Sequence, residues 1–184
     1  MGGTYYDNLI KNVMDNSAGK TWNEAVREWE IYDCEEDESA SSSCICGKEN
    51  IRYLYTIKNI VNSNLLYPIG SSCIRKFERD DLKEEISVRE SMFKLLHAIK
   101  ENEYISLTSD FFSRRVLKAL LEQGAFKASQ YNCFDGENDY QFLLDMFNKR
   151  NKDSITSAQH RKIRAILVNS IKPYLIGVLD DKIK

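Results

Sequence analysis

The sequence predicts an α+β fold: a small N-terminal β-hairpin sheet with flanking helices over residues 1–80, then a mostly α-helical C-terminal half over residues 81–184. Three observations predict it. Ile51, Tyr53, Tyr55 and Ile57 alternate with Arg52, Leu54, Thr56 and Lys58, the two-residue period of a half-buried strand. Cys44 and Cys46 stand just before that strand and Cys73 just after its expected partner, bracketing a hairpin. From Leu82 onward apolar residues recur at helical spacing. A chain of 184 residues buries one real core, or one core and a smaller satellite, so one compact body is the expectation.

In order along the chain, Tyr5, Leu9, Ile10 and Val13 fall at helical intervals, with Thr4 placed to cap the first N–H groups and Gly19 near the end. Thr21 caps a further turn around Trp22 to Val26, after which the aromatic and β-branched Trp29, Ile31 and Tyr32 favour an extended segment. The run Glu35-Glu36-Asp37-Glu38-Ser39-Ala40-Ser41-Ser42-Ser43 has no apolar side chain large enough to offset the entropy of ordering it, and reads as an exposed acidic loop. Asn62-Ser63-Asn64 supplies a turn after which Leu65-Leu66-Tyr67 pairs back on the first strand. Gly70-Ser71-Ser72 opens a helix carrying Cys73, Ile74 and Phe77, with a serine as its cap.

Four apolar faces follow: Ile86, Phe93 and Leu96 with Met92 and Ile99; Phe112, Val116 and Leu120; Tyr140, Leu143, Leu144 and Phe147; Ile163, Ile166, Leu167 and Ile171. Gly124 and Asp135-Gly136 punctuate them, and Pro173 is expected to break or kink the last.

The 42% hydrophobic and 29% charged content is that of a globular protein. A net charge of −2 argues against the strongly basic type of nucleic-acid binder, so phosphate binding would need a local patch. Nowhere do about 18 apolar residues run together, and the polar start lacks the basic-then-apolar order of a signal peptide. A cytoplasmic protein without membrane contact is expected.

Five cysteines, odd in number and unevenly spaced, do not suit a disulfide framework in a reducing compartment. In Cys44-Ile45-Cys46-Gly47-Lys48 a tight turn presents two sulfurs, glycine lets the backbone close, and Cys73 sits where a helix start brings a third sulfur back. That order resembles treble-clef and ribbon zinc modules, which implies a zinc site. Structural zinc takes four nitrogen or sulfur donors. Cys34 is the first choice for the fourth and His97 the second, while Cys133 reads as a plain thiol. The alternative is that these cysteines pack as small hydrophobes.

No catalytic constellation is visible. Of two histidines, His97 lies in the apolar run Leu95-Leu96-His97-Ala98-Ile99, and His160 stands among Arg161, Lys162 and Arg164 like a surface residue. Asp135-Gly136-Glu137-Asn138-Asp139 lacks EF-hand spacing and reads as a helix-capping turn. No phosphate-loop or dinucleotide glycine motif occurs. The expectation is a binding protein.

Candidate partner contacts are the basic groups Arg75 and Lys76; Arg114, Arg115 and Lys118; Lys149 and Arg150, with Lys152; and Arg161, Lys162 and Arg164. Each alone matches an ordinary solvated helix face. Joined in a stripe, with Tyr53, Tyr55 or Tyr67 exposed on the hairpin, they would suit RNA or single-stranded DNA. The acidic Glu35, Glu36, Asp37 and Glu38 offer the opposite sign, able to enter a basic channel of a nucleic-acid enzyme.

Trp29-Glu30 through Cys44-Ile45-Cys46-Gly47-Lys48, then Tyr55-Thr56-Ile57-Lys58-Asn59 and Pro68-Ile69-Gly70-Ser71-Ser72-Cys73-Ile74-Arg75-Lys76-Phe77, resembles a module of small proteins from phages, plasmids and integrative elements. Phe111-Phe112-Ser113-Arg114-Arg115 and Phe147-Asn148-Lys149-Arg150 fit the same type of protein. The resemblance implies one of two functions. One is inhibition of a host defence nuclease, similar in size and charge balance to type II anti-CRISPR proteins that bind Cas9 or its guide RNA complex. The other is a zinc-containing nucleic-acid-binding accessory protein for replication, repair or transfer.

Overall fold

The computed structural model describes residues 3–184. The chain up to Arg89, together with Lys182–Lys184, forms one compact unit, and Glu90–Asp181 forms a second. All three strands lie in the first, so the architecture is α+β with a mostly helical C-terminal half.

The first unit opens with α1 (Thr4–Asp15), which buries Leu9 and Val13. Its N-cap is Gly3, without a side-chain bond, and Thr4 is the first helical residue instead of the cap. Thr21 does cap α2 (Trp22–Ala25), in a reciprocal box with Glu24. Trp22 meets Tyr6 and Phe77 edge-on, at 6.3 and 5.5 Å between ring centroids.

β1 (Trp29–Glu36), β2 (Tyr53–Asn59) and β3 (Leu65–Ile69) form an antiparallel sheet in that order. The hairpin is the one the alternation predicts, and the extended segment from Trp29 adds a third strand along its other side. A bulge at Tyr32, between the pairs Ile31 with Ile57 and Asp33 with Thr56, inserts one extra residue into β1. It shifts the alternation by one place, so that Cys34 and Glu36 are buried like Trp29 and Ile31 before it.

The bulge is one reason the segment 35–38 is not the exposed loop its composition predicts. Glu35 and Glu36 end β1; Glu36 is 0% exposed and paired with Arg52, while Glu35 binds Lys184 and the Tyr67 hydroxyl. Asp37 is buried and accepts hydrogen bonds from the backbone and hydroxyls of Ser39, Ser41 and Ser42, at 2.6–3.2 Å. The serines that look like linker composition supply the donors that order it. Glu38 alone of the four is exposed. The last residues also contribute: Ile183 bridges Glu36 in parallel, Lys184 N–H donates to the Glu36 carbonyl, and Lys182 pairs with Asp33.

At the other end of the sheet a buried polar knot replaces apolar packing. Glu28 accepts from Ala18 N–H, Gly19 N–H and Asn59 Nδ2, and Asn59, Asn62 and Asn64 all donate to the Asn16 carbonyl. These bonds hold the Glu28 carboxyl below the usual carboxylate range, the Asn59 amide being the largest cause.

After β3, Gly70 starts α3 (Ser71–Ile74) with backbone alone, not with the serine cap expected. A tight turn at Arg75–Phe77 leads into α4 (Asp80–Lys100). Arg79 secures that entry by donating to the Trp29 and Val26 carbonyls.

The second unit continues α4 from Glu90 and adds α5 (Arg114–Glu122), α6 (Gly136–Asn148), α7 (Ser157–Ile166) and α8 (Lys172–Leu179). Ser113, Asp135 and Thr156 cap α5, α6 and α7 through their side chains. Phe93, Leu96, Ile99, Phe112, Val116, Leu120, Ile163, Ile166, Leu167 and Ile171 are buried as their spacing predicts. On α6 the inner positions are Leu143 and Met146, with Tyr140, Leu144 and Phe147 half-buried. Gly136 is required there, because a Cβ would stand 2.1 Å from the Phe126 carbonyl oxygen. Pro173 does not break the last segment: a π-helical stretch, Leu167–Ile171, precedes it and Pro173 takes a first-turn position of α8. The wider turn makes room for a residue with no N–H to donate. Among the described residues no helix is long and apolar enough to cross a membrane.

Candidate metal centre

Cys44, Cys46 and Cys73 converge. Their sulfurs all lie within 4.8 Å of one another, with Cys73 Sγ 3.5 Å from Cys46 Sγ and 3.7 Å from Cys44 Sγ, and all three residues are buried. A disulfide would bring two sulfurs to about 2.05 Å, and none of the five cysteines is bridged. The observed spacing is that of ligands around one ion: bonds of about 2.3 Å in a regular tetrahedron put neighbouring sulfurs about 3.8 Å apart.

The local fold makes this triangle from two separate pieces of chain, the knuckle that carries Cys44 and Cys46 and the helix that carries Cys73. Cys44 to Lys48 forms a knuckle closed by Gly47 N–H to Cys44 O at 2.7 Å and Cys44 N–H to Lys48 O at 2.8 Å. Gly47 has φ +93°, a conformation that side-chain-bearing residues rarely adopt. Ile45 N–H bonds Pro68 O at 2.8 Å, tying the knuckle to the end of β3, and Gly70 N–H donates to Cys44 Sγ at 3.3 Å. Cys73 then turns inward from α3. From the opposite side, Asn8 Nδ2 donates to Cys46 O at 3.1 Å and Asn12 Nδ2 to Ile45 O at 3.3 Å, so α1 clamps the knuckle's backbone.

Packing thiols together splits their acidities. The hydrogen bond shared with Cys73, aided by N–H groups of Cys46 and Gly70, lowers the Cys44 thiol to about 5 against the opposing effect of burial. Cys73 moves the other way, raised by its bond to Cys44 and by burial. The start of α3 does not acidify Cys73, because α3 is a single turn and the charge of the neighbouring sulfurs outweighs it. A thiolate at Cys44 disfavours a second one at Cys73, and a cation between them would remove that repulsion. The buried three-cysteine cluster can therefore hold a metal ion.

Cys34, expected as the fourth ligand, stands outside this cluster. It is buried in mid-strand opposite Tyr55, and its sulfur contacts Glu35 O at 3.7 Å. The bulge at Tyr32 put it on the sheet's buried face. Among the described residues no histidine, carboxylate or further cysteine completes the triangle, so His97 does not supply the fourth donor. Cys133 is exposed.

The tyrosines do not form a row of exposed rings. Tyr55 is fully buried, Tyr53 is half-buried near the Arg52 guanidinium, and Tyr67 hydrogen-bonds Glu35 beneath the Lys184 ammonium.

The basic residues fall in both units. Arg75 and Lys76 are exposed in the first, where Lys76 lies over the Tyr6 ring. In the second, Arg114 bonds Asn148 and Lys149 bonds Gln159, which brings the start of α5, the end of α6 and the start of α7 together. Both partners are neutral amides, so neither positive charge is cancelled. Arg115, Arg150, Arg161 and Arg164 are exposed, Lys118 pairs with Glu122, and Lys162 lies over the Phe142 ring, 3.9 Å from the Asp139 carboxylate.

Sequence reasoning did not find Asn8 and Asn12. Their signal was two asparagines four residues apart in a helix, where this side chain is a poor helix former and sits on one face. No family model, curated protein or solved structure matches this chain.

Proposed function

We propose that this chain is a non-enzymatic binding protein whose first unit is held together by a structural zinc ion on Cys44, Cys46 and Cys73. The buried sulfur triangle carries the reading. Thiolates select soft or borderline ions, zinc among them. The fourth position would be filled by a small exogenous donor or a partner's side chain. Zinc bound here would link the knuckle to α3 and add its binding free energy to folding.

Metal analysis of protein never exposed to chelator tests the reading. One zinc per chain supports it; a metal-free protein, or stoichiometric copper or iron, overturns it.

For the partner, the resemblance to mobile-element proteins supports inhibition of a Cas9-type nuclease through its protein or guide RNA complex. Contacts would run through the basic residues and Glu38, the exposed one of the four acidic residues. One observation favours the accessory nucleic-acid reading: Arg114 and Lys149 are brought near each other with their charges uncancelled. The two separate cleanly. An inhibitor co-elutes with the ribonucleoprotein and blocks cleavage; an accessory protein shifts labelled RNA or single-stranded DNA unaided, with affinity falling steeply as salt rises.

A further inference from the structure

We propose that the second unit binds a medium-chain carboxylate, its hydrocarbon tail lying in the recess beside α7 and its carboxylate held by Arg164 and Lys172. The cavity has a volume of about 290 Å³, at the small end of the range for ligand pockets. Leu95, Ile99, Phe112, Ile163, Leu167 and Ile171 line it, so its walls are largely apolar. Its charged lining is mostly cationic: Lys152, Arg164 and Lys172 stand against a single carboxylate, Glu103.

These cations are not equivalent. Lys152 is committed to the Met146 and Phe147 carbonyls at the end of α6. Arg164 and Lys172 have no hydrogen-bond or ion-pair partner among the described residues, and neither is buried. An apolar recess bounded by two uncompensated cations is complementary to a molecule with an apolar body and one negative end. Arg offers a forked pair of donors that matches a carboxylate.

The helix geometry builds this wall. His160, Arg164, Val168 and Lys172 all line the cavity at intervals of four residues. In an α-helix of 3.6 residues per turn such a series drifts steadily around the axis. The π-helical stretch Leu167–Ile171 takes more residues per turn and draws the series back, so Lys172 still faces the recess that Arg164 faces.

Titration calorimetry on the full chain tests the proposal with three probes: decanoate below its micellar concentration, decan-1-ol, and acetate. Saturable one-to-one binding of decanoate is expected, with decan-1-ol at least about tenfold weaker and acetate undetectable. Arg164→Gln and Lys172→Gln, each with an unchanged melting temperature because neither side chain is buried, should weaken decanoate several-fold and leave decan-1-ol unaffected. No binding of decanoate overturns the proposal. So does equal binding of the alcohol, which would make the recess a plain apolar cavity, or indifference to both substitutions. Co-sedimentation with phosphatidylglycerol vesicles in place of decanoate binding would assign the cations to a membrane surface and overturn it too.

Discussion

Cys46 and Cys73 are 27 positions apart in the chain, yet their sulfurs stand 3.5 Å apart in a buried site. Nothing local brings them together. The β2–β3 hairpin reverses the chain between them, and Ile45 N–H to Pro68 O, Gly70 N–H to Cys44 Sγ and the Asn8 and Asn12 amides hold the knuckle against the turn that follows β3.

Cys46→Ser and Cys34→Ser should therefore behave differently. The first removes a ligand and should abolish stoichiometric metal and destabilise the first unit by about 4 kcal/mol or more. The second changes a residue outside the cluster; it should keep its metal and cost about 1 kcal/mol for a buried hydroxyl that can bond the Glu35 carbonyl. Metal content and denaturant melts of the two proteins side by side decide. Loss of metal from Cys34→Ser would place that sulfur among the ligands after all.

Asn8→Ala and Asn12→Ala each delete one hydrogen bond to the knuckle's backbone without touching a sulfur. Each should cost about 1 kcal/mol of stability. The double variant should weaken metal binding by up to about tenfold, as expected of groups that orient ligands. Competition against a colorimetric zinc chelator reads this directly; unchanged affinity would mean that α1 plays no part in shaping the site.

The acid limb of stability should carry the signature of Asp37. Hydroxyl donors from Ser39 and Ser42 hold its carboxyl far below the usual range of 3.8. A carboxyl with a depressed native pKa favours the folded state fully above its unfolded value, and that contribution is lost as pH falls from there through the native value. Asp37→Asn should be less stable than the parent at pH 7, with the gap narrowing below about pH 4 as the parent loses the same contribution. Urea titrations at pH 7 and at pH 3 measure both differences; a gap that does not change with pH would contradict the assignment.

Asn59→Ala should be among the most damaging substitutions outside the metal centre. It strips a donor from the Glu28 carboxylate and another from the Asn16 carbonyl, in a place where Asn59 itself is fully buried. About 2 kcal/mol is expected, because the acceptors left behind are desolvated. A thermal melt within about a degree of the parent would show that water replaces the amide without loss.

The sequence alone determined what depends on short-range periodicity. The strand within Ile51 to Lys58, the turn at Asn62-Ser63-Asn64, the Thr21 cap and the buried faces around Phe93, Val116 and Ile163 are present as read, although Leu54, read as outward, is buried beside Tyr55, because period and capping chemistry act within a few residues. The tertiary structure decided everything that needed distant partners. The bulge at Tyr32 turned Cys34 and Glu36 inward; three serines and Arg52 ordered an acidic run that composition marks as a loop; Lys182–Lys184 supplied charges and a backbone bridge to β1; and α1 brought two asparagines to the cysteine knuckle. An exposed carboxylate and one that has found donors elsewhere in the chain have the same local sequence. Only the fold determines which of the two it is.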